Sequence, residues 1–291
     1  MCKEKNKIIL KKRANHGGNW LKGKFKTSSK KKPLISIIIV TLNSQKYLDQ
    51  TLKSIFNQRY KNYELIIVDG KSKDKTLSIV KKHEKKIDYW VSEKDRGIYD
   101  AFNKGINFAR GEYLGFVNSD DILTRNAIYY LVKYHNSKKF DFIFGAVKKH
   151  WGILHGYKKW KVKFSWGFYS SHSTGFFIKK KAAEKVGKYK LKFKHHADWD
   201  YFYRMIVKKK LIGISSTKNE LFGIFRRGGY SSKLIYDKHI EETIKIRISN
   251  KQNRFLIFFI TLYKFYKNLH LVKNKKVTFK KIINQTIFTR E

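Results

Sequence analysis

The sequence predicts an α/β fold, with a mostly parallel central sheet, helices on both faces and a helical C-terminal extension. Three observations predict it. The runs 35–40, 63–70 and 112–117 are largely continuous in apolar residues, the pattern of strands covered on both faces. They alternate with segments whose apolar residues recur at helical spacing. From about residue 236 the chain is helical throughout and increasingly aromatic and basic.

Taken in order, residues 1–32 are Lys-rich, contain "GG" and "TSSKKK", and show no sustained period; they are expected to form a flexible basic tail. Pro33, the only proline, opens the run 35–40, where its missing N–H falls outside the ladder. "KYLDQTLKSIFNQ" (46–58) places Leu48, Leu52 and Ile55 on one helical face. "YELIIVDG" (63–70) is a second buried strand. "DKTLSIVKKHEKK" (74–86) is a helix with Asp74 at its cap. Residues 87–93 form a strand, 98–110 a helix and 112–117 a strand, so the rhythm is β-α-β-α-β-α-β. Beyond residue 121 it loosens. A helix is expected near 124–136, a loop or hairpin over 148–168, strand then helix in "STGFFIKKKAAEKVG", a helix in "DWDYFYRMIVKK", and a strand running into a Gly-Gly turn in "ELFGIFRRGGYSS".

The 291 residues are enough for one large domain or a domain with an appendage. A hydrophobic fraction of 42% with 16% aromatics excludes a disordered chain. The 66 Lys+Arg against 22 Asp+Glu give a net charge of +44, a field that attracts phosphates, nucleic acid or an acidic membrane face. The lysines are spread along nearly the whole chain, so compositional bias in an AT-rich genome is an equal reading. A single cysteine, Cys2, excludes an intrachain disulfide framework and fits a reducing compartment. No stretch has the apolar length of a secretory or membrane-spanning segment. The expected location is the cytoplasm, with peripheral attachment to the inner face of the membrane left open.

In open sheets of this kind, ligands bind beyond the carboxyl ends of the strands. Three strands end there on polar groups: Thr41-Leu42-Asn43, Asp69-Gly70 and Asn118-Ser119-Asp120-Asp121. Adjacent carboxylates at a buried strand end repel unless a cation lies between them. Two readings stand at this point, a metal site and a solvated turn that caps the next helix.

Five segments in order, "SIIIVTLNSQKYLDQTLKSIFNQRYKNYELIIVDGKSKDKT", "SEKDRGIYDAFNKGINFARGEYLGFVNSDD", "SHSTGFFIKK", "HHADWDYFYR" and "FRRGGYSS", make the chain resemble the family 2 glycosyltransferases. These are inverting enzymes of the GT-A nucleotide-diphospho-sugar transferase fold; the likeness is greatest to the bacterial branch that builds surface polysaccharides. The likeness covers about residues 34–232 and implies a GT-A domain over 33–235, with residues 236–291 as the extension. By that resemblance Asp121 binds a divalent cation, Mn²⁺ or Mg²⁺. Such ions take hard oxygen ligands and are held by one or two carboxylates plus substrate phosphates. Asp120 would contact the ribose and Asp69 the nucleoside, with Thr41 and Asn43 beside it.

Many members carry a second Asp where this chain has Gly70, which shifts base recognition onto Asp69, Thr41 and Asn43. Asp95, with Asn103 and Lys104 on the following helix, matches a nucleotide-proximal set; a helix-cap role for Asp95 stays open. Asp198 matches the catalytic base, which must reach the acceptor hydroxyl. Asp200 is two residues on and faces elsewhere on a helix; it is left to structure or to secondary contacts on the acceptor side. His172 matches an acceptor-side His-Gln pair whose Gln is here Ser173. His195 and His196 are expected to be solvated. Arg226 and Arg227 precede Gly228-Gly229 and suit bidentate diphosphate contact, or form a solvated basic loop.

The implied partners are a nucleotide-sugar donor, UDP-linked by expectation, and a glycan or lipid-linked glycan acceptor of cell-surface polysaccharide, lipopolysaccharide or O-antigen synthesis. A nucleic-acid-binding protein is the rival class, but no helix-turn-helix, RRM, KH or zinc-finger pattern is present. A nucleotidyltransferase on a related fold would carry a Gly-rich loop after the first strand, and "TLNSQKYL" has no glycine. "NRFLIFFITLYKFYKNLHLVKNKK" pairs aromatics with flanking lysines. It suits either the interface of an anionic membrane or a helix packed on the core. Oligomeric state, sugar and linkage are not legible.

Overall fold

The computed structural model describes residues 15–164, 173–226, 236–273 and 275–288. The chain divides into two compact units. Among the described residues the first comprises 15–157, 173–188 and 211–226, and the second comprises 158–164, 189–210, 236–273 and 275–288.

The first unit is built on an eight-stranded sheet. Its strands are β1 (His16–Gly17), β2 (Ile35–Thr41), β3 (Tyr63–Asp69), β4 (Tyr89–Ser92), β5 (Tyr113–Asn118), β7 (Phe142–Phe144), β10 (Phe176–Lys179) and β11 (Gly213–Ser215). The order is β1-β4-β3-β2-β5-β10-β7-β11. The pairs β4/β3, β3/β2, β2/β5 and β7/β11 are parallel. Helices α1 (Leu48–Phe56), α2 (Thr76–Lys82) and α3 (Ile98–Phe108) supply the crossovers, and α4 (Ala127–Ser137) follows β5. Every residue of β2 and β3 is buried, which is why these strands read as largely apolar runs; the polar pair within them, Ser36 and Glu64, is hydrogen-bonded at 2.6 Å. Leu48, Leu52 and Ile55 of α1 are fully buried in the same core as Ile37, Ile39, Leu65 and Ile67.

A second, four-stranded sheet, β6-β12-β8-β9, is formed by β6 (Ile122–Leu123), β8 (Ala146–Lys149), β9 (Gly152–Leu154) and β12 (Leu221–Ile224). The expected hairpin after residue 148 is β8/β9. Insertion of β10 antiparallel between β5 and β7 has no counterpart in the sequence expectation. The helix α6 (Lys180–Val186) follows it directly.

The expectation of a flexible tail through residue 32 is corrected for its second half. β1 pairs antiparallel with β4, and Trp20 is buried and stacks on Tyr89 at 5.2 Å and 11°. Lys26 Nζ donates to Tyr63 O at 2.6 Å and to the buried Asp88 at 3.0 Å. One aromatic side chain and a long-range antiparallel pairing at the sheet edge therefore anchor a segment whose composition alone reads as unstructured.

The second unit contains α5 (Lys161–Phe164), α7 (Ala197–Tyr203), which continues into a π-helical turn over Arg204–Lys208, α8 (Tyr236–Ser249), α9 (Arg254–Lys267) and α10 (Lys275–Ile283). Ile240, Ile244, Ile257, Phe265, Val272 and Ile282 form its own apolar cluster. The expected boundary at residue 235 differs from this division, because residues 189–210 cluster with the C-terminal helices. The fully buried Asp200 explains the difference: it accepts from Asn250 Nδ2 at 2.9 Å, joining α7 to the end of α8. Among the described residues no helix is long and apolar enough to cross a membrane.

Candidate active site

The loops that follow β2, β3 and β5 are tied together at the carboxyl ends of the strands. Thr41 Oγ1 donates to Asp69 Oδ1 at 2.9 Å, and Gly70 N donates to Thr41 O at 2.8 Å. Asn43 adopts φ 50°, a left-handed conformation that Asn tolerates. From there its backbone N–H reaches Ser72 Oγ at 2.8 Å, and its Oδ1 accepts from Lys73 N at 2.9 Å. Ser44 Oγ lies 2.7 Å from Ser119 Oγ, and Thr51 Oγ1 donates to Ser119 O and Asp121 O at 2.9 and 2.8 Å. Strand order thus brings residues from three distant stretches to one edge, as expected of an open parallel sheet.

Asp69 is buried, and its carboxylate accepts from Thr41, from Ser72 Oγ and N at 2.5 and 3.0 Å, and from Ser92 Oγ at 2.6 Å. It is fixed on four donors before any ligand arrives. Gly70 is explained by Asp95: a Cβ at position 70 would lie 2.6 Å from Asp95 Oδ2. The Asp95 carboxyl is raised above its usual value by burial, with Asp100 and Asp69 adding to the shift, and its Oδ1 caps Gly97 N at 2.9 Å. The hydrogen bond to Gly97 N just before α3 agrees with the cap reading of Asp95. Asn103 is buried, and Lys104 is engaged with Lys94 O at 2.8 Å and Glu93 at 3.0 Å.

Asp121 is completely buried at the end of β5. Its Oδ2 accepts from Thr174 Oγ1 at 2.5 Å and Asn118 Nδ2 at 3.1 Å; its Oδ1 accepts from Arg226 N at 3.3 Å. Burial pushes its pKa up to about 7; the three donors oppose the shift and the neighbouring Asp120 adds to it. Asp120 is half-buried and is also raised by burial, against the Arg226 charge. Arg226 is held over the Tyr47 ring at 4.6 Å and hydrogen-bonds Gln50 Oε1. Lys149, at the end of β8, lies over the Phe225 ring at 4.6 Å. Its ammonium is held below its ordinary pKa by burial and is drawn back up by Asp121.

A divalent cation fits this donor set. Asn118 Oδ1 is buried with no protein hydrogen-bond partner, a hard oxygen on the residue that touches Asp121, and two carboxylates with raised pKa stand beside it. Among the described residues no group of three or more His, Cys, Asp and Glu is arranged to hold a metal. An ion here would therefore rest on one or two carboxylates, with the remaining positions left for phosphate and water, the usual pattern for Mg²⁺.

In the second unit Asp198 is half-buried in the first turn of α7, and its Oδ1 accepts from Trp199 N at 3.1 Å. Asp200 is fully buried, in line with the structural reading left for it. Its oxygens are occupied by Arg204 Nε at 2.7 Å, Lys190 Nζ at 3.1 Å and Asn250. His196 is corrected. It is buried between Glu242 Oε2 at 2.8 Å and His239 Nδ1 at 3.0 Å, where its ring is hydrogen-bonded on both sides. His172 and Arg227 lie outside the described residues. Sequence reasoning missed Lys149 and Glu242, and it gave no role to Asn118 and Thr174, although both lie in segments it quoted.

The family description "Glycosyl transferase family 2" matches residues 36–202. An uncharacterized glycosyltransferase, MJ1057, of Methanocaldococcus jannaschii is 29% identical over 238 residues, covering 76% of this chain and 82% of its own. Among solved structures, S. aureus TarS 1–349 in complex with UDP-GlcNAc is similar with TM-score 0.67 and 15% identity, over 87% of this chain and 81% of that one. The mannosyltransferase PcManGT of Pyrobaculum calidifontis, in complex with GDP-Man and Mn²⁺, is similar with TM-score 0.59 and 17% identity, over 92% and 78%. At those identities the two structures speak for the GT-A fold. The family match spans more than half of the chain and includes the strand-end carboxylates, so this chain belongs to glycosyl transferase family 2 and is a glycosyltransferase.

Proposed function

We propose that the enzyme is an inverting, metal-dependent transferase that moves a single sugar from a UDP-sugar to a glycan or lipid-linked glycan of cell-surface polysaccharide, lipopolysaccharide or O-antigen synthesis. The observation that carries the metal assignment is Asp121: fully buried, with its pKa at about 7, beside a second acid and an orphaned amide oxygen. A buried acid so costly to ionise is retained where a cation and phosphates arrive to offset it.

In this reading Asp121 holds the ion, with Asp120 on the ribose. Asp69, Thr41 and Asn43 line the nucleoside, and Asp95, Asn103 and Lys104 stand beside it. Arg226 and Arg227 take the diphosphate. Four donors fix the Asp69 carboxylate, which supports a preorganised role for it. The bound ion would neutralise charge on the leaving diphosphate. Asp198 accepts the proton of the acceptor hydroxyl as that oxygen attacks the anomeric carbon. A new C–O bond forms, the bond to the diphosphate oxygen breaks with its electron pair, and the configuration inverts. His172 would serve the acceptor side. A lipid-linked acceptor would bring the enzyme to the inner face of the membrane.

Calorimetric titration of UDP, GDP and dTDP, with and without Mn²⁺, on wild type and Asp121→Ala tests the donor and metal assignment. The expected result is UDP binding that needs both Mn²⁺ and Asp121. Metal-independent binding that falls steeply with salt, unchanged in the variant, would be plain charge attraction and would overturn it.

A further inference from the structure

The helix α9 is apolar on two sides, and only one of them is covered within its unit. Ile257, Thr261 and Phe265, four residues apart, are buried in the cluster with α8 and α10. Phe255, Phe259 and Tyr263 recur at the same spacing roughly opposite, with Tyr266 one turn on. They are 70%, 63%, 65% and 59% exposed. A surface helix normally turns charged residues outward; here the outward face is a row of four aromatic rings about 17 Å long. Contiguous exposed apolar surface of this kind marks an interaction site.

The charge of this stretch of chain argues for an anionic partner. From Arg254 to Lys281 the chain carries eight Lys and Arg and no Asp or Glu. Lys267, Lys273, Lys275, Lys276 and Lys280 are all exposed. Lys267 lies over the Tyr263 ring at 5.8 Å, so cation and aromatic face are presented together. We infer that this face of α9, with Lys267 at its end, docks flat on an anionic lipid bilayer, Phe255 and Phe259 entering the acyl boundary and the tyrosines staying at headgroup level. Rings with a polar end favour that depth, and basic side chains meet anionic headgroups. A protein partner would need acidic complementarity along the same row and is the less economical occupant. The inference deepens the lipid-linked acceptor reading, and it rests on that reading only for its purpose.

The test is flotation of the full chain with vesicles of phosphatidylcholine alone or with one third phosphatidylglycerol. Wild type is compared with Phe255→Ser/Phe259→Ser/Tyr263→Ser/Tyr266→Ser, which leaves every charge in place. Wild type should float with the anionic vesicles at about 0.15 M salt and persist in part at ~0.5 M, because apolar insertion is not screened. The variant should lose about tenfold or more of its partitioning at the higher salt. To guard against misfolding, Cys2→Ser/Phe259→Cys carrying an environment-sensitive dye keeps the other three rings. Its emission should rise on anionic vesicles. Equal flotation of wild type and variant, no flotation of wild type at about 0.15 M salt, or a dye that stays in water would overturn the proposal. So would a wild-type dimer that the substitutions dissociate, since a second copy would then cover the face. UDP titration on the same variant should be unchanged, which separates failure here from failure of the donor assignment.

Discussion

At the residue scale, the candidate site stores its cost in Asp121. The ordinary carboxyl value of 3.8 rises to about 7 in the folded protein, so between these values the unfolded chain releases its proton first. Stability contributed by the protonated acid is present below pH 3.8 and is lost as pH rises through about 7. The loss is on the order of 4 kcal/mol in the metal-free protein. Asp121→Asn removes it, and Asn118 can turn its amide over to meet the new side chain. In chelator-treated protein at pH ~8, the variant should be more stable in urea by roughly 2–4 kcal/mol, with the gap closing near pH ~4. An equal or lower stability at pH ~8 would mean that burial imposes no such penalty. The acids were legible in the sequence because two neighbouring carboxylates at a buried strand end demand an explanation. The roles of Thr174 and Lys149 were not, because nothing local marks a hydroxyl or an amine that meets Asp121 only after the chain has returned through β8 and come round to the start of β10.

At the element scale, short pieces are held by single side chains, and there composition misleads. Trp20 secures β1 and the turn after it, filling a site against Tyr89 and under Arg110 at 5.8 Å. Trp20→Ala should cost about 3 kcal/mol in chemical denaturation; an effect below about 1 kcal/mol would fit a loosely attached tail. The helix α7 has seven residues, too few to persist alone. Glu242 on α8 braces its approach, accepting from Lys194 N and His195 N at 2.5 and 3.1 Å and from His196. Burial would raise the Glu242 carboxyl, but these donors outweigh it and hold the pKa below the ordinary 4.5. Its contribution is therefore present above pH 4.5 and is lost as pH falls through the folded value. Glu242→Ala should destabilise by about 2 kcal/mol at neutral pH, with a smaller deficit in acid, and should lower kcat more than it raises KM. Glu242→Gln, which keeps an acceptor for the backbone N–H groups, should recover most of both. A pH-independent deficit would assign the effect to packing alone.

At the scale of the whole molecule, the sequence is most transparent where the sheet is parallel. β2, β3 and β5 are buried on both faces, and that burial writes largely apolar runs with helices between them. β10 is opaque: "FFIK" could pair with any strand, and only the completed fold sets it antiparallel between β5 and β7. Net charge has the opposite character, since it is read at once but does not specify a function. At +44 the chain repels itself and attracts any polyanion. Raising salt from ~0.05 to ~0.5 M should therefore raise the melting temperature by about 1–2 °C, roughly the effect of 1 kcal/mol in a chain of this size. Over the same range duplex-DNA binding should fall by about three orders of magnitude or more, because many phosphates release counterions at once. UDP binding in Mn²⁺ should fall far less, since a diphosphate engages few charges and the buried carboxylates are poorly screened. Nucleotide and DNA titrations across that salt series would separate the two. If DNA binding survived at ~0.5 M while UDP binding collapsed, the basic surface would be a specific polyanion site, and its lysines more than bulk charge.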